Sequence, residues 1–185
     1  MSTQKTNHKI VLLGDIGVGK TCLMSRLTFG TFDANKNSTQ GVSFSNIKKG
    51  YPNFGKILNL DIWDTTGQEK YKRLTKFFYK DADMVILVYD ITRKESFDNL
   101  KHFWYKELQE YGNKDIVIGI AGNKSDLYDN EEVSEKEARE FAKSIDAIFG
   151  LISAKNDSGI EKLLEDIGNK YLESKKVQDA KIEEE

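Results

Sequence analysis

The chain has 185 residues, enough for one domain with a sizeable core, and its 38% apolar and 31% charged content is that of an ordinary soluble protein. A net charge of −2 supplies no global basic field for a nucleic-acid polymer, and the single cysteine, Cys22, excludes an intrachain disulfide and fits a reducing compartment. The N-terminal MSTQKTNHK has no apolar signal core, Ser2 stands where N-myristoylation needs a glycine, and the longest apolar run, Met84 to Tyr89, is too short to span a bilayer.

Lys9 to Leu13 is apolar and stops at Gly14, which predicts a buried strand; Thr21 to Phe29 follows with helical spacing through Cys22, Leu23 and Leu27. Val42 to Lys49 and Ile57 to Trp63 alternate as strands, and Tyr51-Pro52-Asn53-Phe54-Gly55 between them carries the turn chemistry of a hairpin. Met84 to Tyr89 is a continuous apolar run, expected of a strand buried on both faces. Ser96 to Tyr111 reads as a helix, Ile116 to Ala121 as a second buried strand, and Ser134 with Glu137 as a capping box that starts another helix. Ala147 to Ile152 is a short strand and Ser158 to Leu172 a last helix, followed by a charged tail expected to fray. Strands alternating with helices imply an α/β fold: a mostly parallel six-stranded sheet with one antiparallel edge strand and about five helices over both faces.

Between the first strand and first helix, Gly14-x-x-x-x-Gly19-Lys20-Thr21 matches the phosphate-binding (P-loop) pattern. Glycines let backbone N–H groups converge on phosphate oxygens, and a helix start adds its own free N–H groups, so Ile16, Gly17, Val18, Gly19, Lys20, Thr21 and Cys22 are the expected phosphate contacts. Lys20 would bridge the β- and γ-phosphates and the Thr21 hydroxyl would ligate Mg²⁺. A tight glycine turn with a solvent lysine is the alternative, and the strand-loop-helix context argues against it.

Asp64 ends a strand in Trp63-Asp64-Thr65-Thr66-Gly67-Gln68, where a carboxylate can hold Mg²⁺ through water. Gly67 has no side chain to block its N–H from a γ-phosphate, and Gln68 can orient a water, so Lys20, Gly67 and Gln68 are the candidate catalytic residues. Asn123-Lys124-Ser125-Asp126 follows another strand. There the Asp126 carboxylate can accept the N1–H and 2-amino donors of guanine, which adenine lacks. Asn123 and Lys124 would shape that pocket, and Ser153, Ala154 and Lys155 would complete it through backbone N–H groups.

GDIGVGKT, Thr39, DTTGQE, NKSD and SAK, in that order and spacing, resemble the Ras superfamily of small GTPases over about residues 8 to 172. QGVSF, LNLDIWDTTGQE, YKRLTKFFYKDAD, VILVYDIT and NLKHFW resemble its Rab branch, the endocytic members most. The resemblance implies a G domain over 8–173 with flexible tails at 1–7 and 174–185. It implies that Thr39 completes the Mg²⁺ shell with Thr21 and Asp64 and senses the γ-phosphate through its N–H, that Phe32 lies against the guanine edge, and that Phe44, Trp63 and Phe78 form an effector-binding surface. The function implied is a monomeric two-state switch in vesicle traffic. It binds GTP or GDP with Mg²⁺, hydrolyses GTP, and meets exchange factors, GTPase-activating proteins and effectors through segments near 35–44 and 65–80.

Three features depart from the family. Ile16 stands where a small residue is usual, and its stiff branched side chain is expected to crowd the hydrolysis site and slow turnover, unless the loop turns it outward. Thr66 stands where alanine is usual; it is read as a turn residue, with a γ-phosphate contact as the functional alternative. Lys36 and Gln40 also differ from common Rab residues, which bears on partner identity. The chain ends KIEEE with no cysteine after Cys22, so the chain as given is expected to be unanchored, cytoplasmic, and peripheral on an endomembrane only where a prenylated C-terminus follows. Two further readings compete: a nearly hydrolysis-deficient, GTP-bound recruitment module, and an ATP-using P-loop enzyme, against which Asp126 argues.

Overall fold

The computed structural model describes residues 7–34, 42–65, 78–79 and 81–183. Six strands form one sheet: β1 (Asn7–Leu13), β2 (Val42–Tyr51), β3 (Lys56–Thr65), β4 (Met84–Asp90), β5 (Val117–Asn123) and β6 (Ile148–Leu151). Their spatial order is β2-β3-β1-β4-β5-β6. All neighbours are parallel except the β2–β3 hairpin, which runs antiparallel from Val42 opposite Thr65 to Tyr51 opposite Lys56. The expected sheet and its antiparallel edge are therefore present.

Period-two alternation divides the core between two faces. Ile10, Leu12, Met84, Ile86 and Val88 point to one side, where Leu23 and Met24 of α1 (Lys20–Phe29) and Leu163, Leu164 and Ile167 of the last helix cover them. Val11, Leu13, Val85, Leu87 and Tyr89 point to the other. There they meet Phe97 of α2 (Lys94–Asn99), Leu108 of α3 (Tyr105–Tyr111), and Ala138 and Ala142 of α4 (Glu135–Ser144). Each such side chain, fully buried, contributes roughly 1.5–3 kcal/mol.

Two helix expectations need revision. The helix expected over Ser96 to Tyr111 begins at Lys94 and is broken by a π-helical turn, Leu100–Trp104, between α2 and α3. The last helix, α5, starts at Ile160 and does not end near Leu172 but runs to Glu183. The reason is composition: after Gly168 the chain offers Lys, Glu, Gln and Ala, good helix formers, and no glycine or proline to stop it. The start of α4 is as expected, with the Ser134 hydroxyl accepting from the Glu137 N–H at 3.2 Å. Among the described residues no helix is long and apolar enough to cross a membrane.

Register decides where the polar residues sit. Leu12 pairs with Asp64 and Asp90 with Asn123, so the carboxyl ends of β1, β3, β4 and β5 lie along one edge of the sheet. The strand order reverses beside β1, which makes that edge the crevice where open α/β sheets bind ligands.

Candidate nucleotide site

The loop Gly14–Gly19 leaves β1 at this edge. Gly14 (φ 146°), Gly17 (φ 77°) and Gly19 (φ 97°) occupy backbone conformations that side-chain-bearing residues rarely adopt. Space agrees with conformation: a Cβ on Gly14 would strike the Val88 carbonyl, and one on Gly19 would strike the Asn123 amide. Gly19 opens α1 with no side-chain cap, leaving the first N–H groups of the helix for a ligand.

Lys20 is 5% exposed, and its Nζ donates to the carbonyls of Gly14 and Asp15, each at 2.8 Å. Burial pushes its ammonium down to about 8; Asp64 and Asp15 oppose that shift and the nearby Arg93 guanidinium adds to it. The Thr21 hydroxyl donates to Asp64 Oδ2 at 2.6 Å. This pair of hard oxygen donors, one neutral and one anionic, is the chemistry that suits Mg²⁺, which takes few protein ligands and completes its shell with water and phosphate. The residues present thus fit that ion.

Asn123, 2% exposed, ends β5 and reaches two ways. Its Nδ2 donates to the Val18 carbonyl at 2.8 Å, and its Oδ1 accepts from the Ala154 N–H at 3.2 Å. Lys124 follows in a left-handed conformation (φ 66°) with its Nζ 2.6 Å from Asp90 Oδ2. Asp126 accepts from the buried Ser153 hydroxyl at 2.5 Å and lies 3.8 Å from Lys155 Nζ. Arg26, on the last turn of α1, donates to the carbonyls of Ala154 (3.0 Å) and Lys155 (2.9 Å). The loop after β6 is thereby held against α1.

The remaining expected residues fall into three groups. Ile16 projects at 45% exposure, with Gly17 exposed beside it, while Val18 is fully buried and Cys22 half-buried. Phe32 is half-buried against the α1–α5 face of the core. Phe44 is 53% exposed and pairs across the hairpin with Trp63. Its ring meets Trp63 at 5.2 Å between centroids, and Trp63 meets Phe78 at 5.9 Å, one continuous aromatic row. Lys36, Thr39, Gln40, Thr66, Gly67 and Gln68 lie outside the described residues.

Sequence reasoning did not find the side chains that hold the phosphate loop from outside. The Asp15 carboxylate accepts from Asn99 Nδ2 and Trp104 Nε1, both at 2.8 Å, and Arg93 Nη2 donates to the Ile16 carbonyl at 2.9 Å. Asn99 and Trp104 are five positions apart, which in an α-helix separates them by about 140°. The wider π turn brings both to one face. No spacing rule applied to the sequence would pair them.

The Ras family model matches residues 9–173. The chain is 44% identical to human Ras-related protein Rab-22A over 162 residues, covering 88% of this chain and 82% of the relative. It is 40% identical to human Rab-30 over 164 residues (89% and 79%) and 44% identical to human Rab-31 over 159 residues (86% and 80%).

Proposed function

Because the chain belongs to the Ras family, as a Rab small GTPase, we propose that it is a GTP-binding switch of vesicle traffic whose own hydrolysis step is slow. One observation supports this reading of the nucleotide site. Asn123 bonds the phosphate loop at Val18 and the base-pocket loop at Ala154, so the two halves of a guanine nucleotide site share one buried side chain.

In this reading the N–H groups of residues 16–22 and the Lys20 ammonium hold the phosphates. Asp126, oriented by Ser153 and Lys155, accepts the N1–H and 2-amino group of guanine, and Phe32 flanks the base. Thr21, Asp64 and Thr39 would hold Mg²⁺, which would supply positive charge against the negative charge that builds up during phosphoryl transfer. Gln68 orients the attacking water and the Gly67 N–H meets the γ-phosphate. Lys20 stabilises charge on the leaving β-oxygen as the bond from phosphorus to that oxygen breaks. Phe44, Trp63 and Phe78 serve as effector anchors: an exposed Phe44 continues into half-buried Trp63 and Phe78, and aromatic rows are residues from which binding energy is commonly drawn. Exchange factors and activating proteins would act at the same edge. The family's endocytic branch is the proposed setting, at an endomembrane where a prenylated C-terminus provides the anchor.

The exposed, branched side chain of Ile16 is what supports slow turnover. In this reading it occupies space that an activating protein's arginine would otherwise enter, and such an arginine is worth about 10³–10⁵ in rate. Single-turnover GTP hydrolysis by the wild type and Ile16→Gly, side by side, tests this. The glycine variant is expected to be at least tenfold faster, a barrier difference of about 1.4 kcal/mol. Equal rates would reduce Ile16 to loop surface.

A further inference from the structure

The phosphate loop is fixed at most of its length by contacts that belong to the nucleotide site itself or to its walls. Gly14 packs against the Val88 carbonyl. Asp15 is held by Asn99 and Trp104, and Val18 by Asn123. Between these anchors lies the Ile16–Gly17 peptide. It is the position most able to turn over, because Gly17 (φ 77°) has no Cβ to resist rotation. Among the described residues, the side chain that reaches it is Arg93, whose Nη2 donates to the Ile16 carbonyl at 2.9 Å and whose Nη1 lies 3.7 Å from where a Gly17 Cβ would be.

We propose that Arg93 is a positioning residue for GTP and GDP: a latch that fixes the Ile16–Gly17 peptide with its N–H turned into the loop, towards the phosphates. The proposal rests on the nucleotide-site reading given above. Its geometry follows from peptide planarity. In a trans peptide the C=O and N–H point in opposite directions, and the described chain has no cis bond. The Arg93 bond lies on the exposed side of the loop, so the Gly17 N–H is aimed inward. A donor already aimed at its acceptor costs no reorganisation when the phosphate arrives. The guanidinium also brings a second positive charge to the loop beside Lys20, and both charges favour an anion there. Arg93 is supplied by the turn after β4 and sits one residue before α2, so the same short segment (93–104) grips the loop at Asp15 and at Ile16.

The test uses the full chain loaded with GDP that carries a fluorescent ribose label. Release is measured for wild type, Arg93→Ala and Arg93→Lys. Amide spectra of the unlabelled GDP complexes are recorded alongside. Arg93→Ala is expected to release GDP at least fivefold faster. The Gly17 amide resonance should move while those of Asp15 and Val18 stay. Arg93→Lys, which keeps a charged donor for the Ile16 carbonyl, should recover most of the retention. Release from Arg93→Ala at the wild-type rate overturns the latch and leaves the nucleotide site intact. Faster release with all the loop amides shifted alike, and no recovery in Arg93→Lys, also overturns it, since that pattern is general loosening. Failure of the wild type itself to retain GDP would overturn the nucleotide-site reading, and the latch with it.

Discussion

Asn123 shows how much one side chain can be asked to do. It is a buried amide that satisfies a carbonyl on one loop and an N–H on another. Truncation would leave both backbone groups buried without a partner, and each such group costs about 1–3 kcal/mol. Asn123→Ala is therefore expected to lower stability by about 2–6 kcal/mol even without nucleotide, measured by urea unfolding of the nucleotide-free protein. A loss under about 1 kcal/mol would mean that water replaces the amide and that the two loops do not depend on it. Ile16 is the opposite case: its side chain is exposed and its backbone carbonyl is what accepts from Arg93, so it can differ from the family at little structural cost. A residue of this kind leaves the fold unchanged whatever it does at the site, which is why the sequence could flag Ile16 but not weigh it.

At the scale of elements, the strands were legible because apolar runs bounded by glycines and turn residues leave few alternatives. β1, β4 and β5 differ from their expected bounds by a few residues only, and the extension of β5 to Asn123 is itself informative: the expected polar turn begins inside the strand. The π turn was not legible. Asn99 and Trp104, at its two ends, both donate to Asp15, 84 and 89 residues away in sequence, and no local pattern records that. The length of α5 is not legible either: its last turns carry a run of charges that looks like a fraying tail, but charge alone does not end a helix. Within α5, Gly168 is where the hairpin docks. The Tyr51 ring lies directly against it, its hydroxyl donating to the Leu164 carbonyl at 3.3 Å, and a Cβ at that position would overlap the ring. Gly168→Ala should therefore destabilise the protein by about 1–3 kcal/mol through overpacking, although alanine is the better helix former. Thermal unfolding of this variant against Ser174→Ala, on the same helix away from the ring, separates the two effects. A midpoint at or above that of the control would refute the docking argument.

For the molecule as a whole, the acid limb of stability follows from carboxylates stabilised in the folded state. Burial raises the Asp90 carboxyl, but hydrogen bonds from Lys124 and Thr92 outweigh it, and the net direction is below the ordinary 3.8. Asp98 is lowered by Lys101, and Glu137 by Lys94 and Lys101, the latter below its ordinary 4.5. A folded pKa below the unfolded one means that the unfolded chain binds more protons as pH falls. This stability is present in full above about pH 5 and drains away as pH drops through 4.5 and 3.8 towards the folded values. The unfolding midpoint should fall between pH 5 and 3, and Asp90→Asn should flatten that fall; an unchanged slope would show that the Asp90–Lys124 pair is not titrating with unfolding. Ten register pairs join β2 to β3, and Tyr51 pins their far end beneath α5. The hairpin consequently behaves as a fixed plank and not as a sliding bolt. Shifting β2 by two residues would preserve the pleat but drag Tyr51 out of its seat. Sliding the hairpin therefore means unseating Tyr51 from Gly168, so register and seat hold each other.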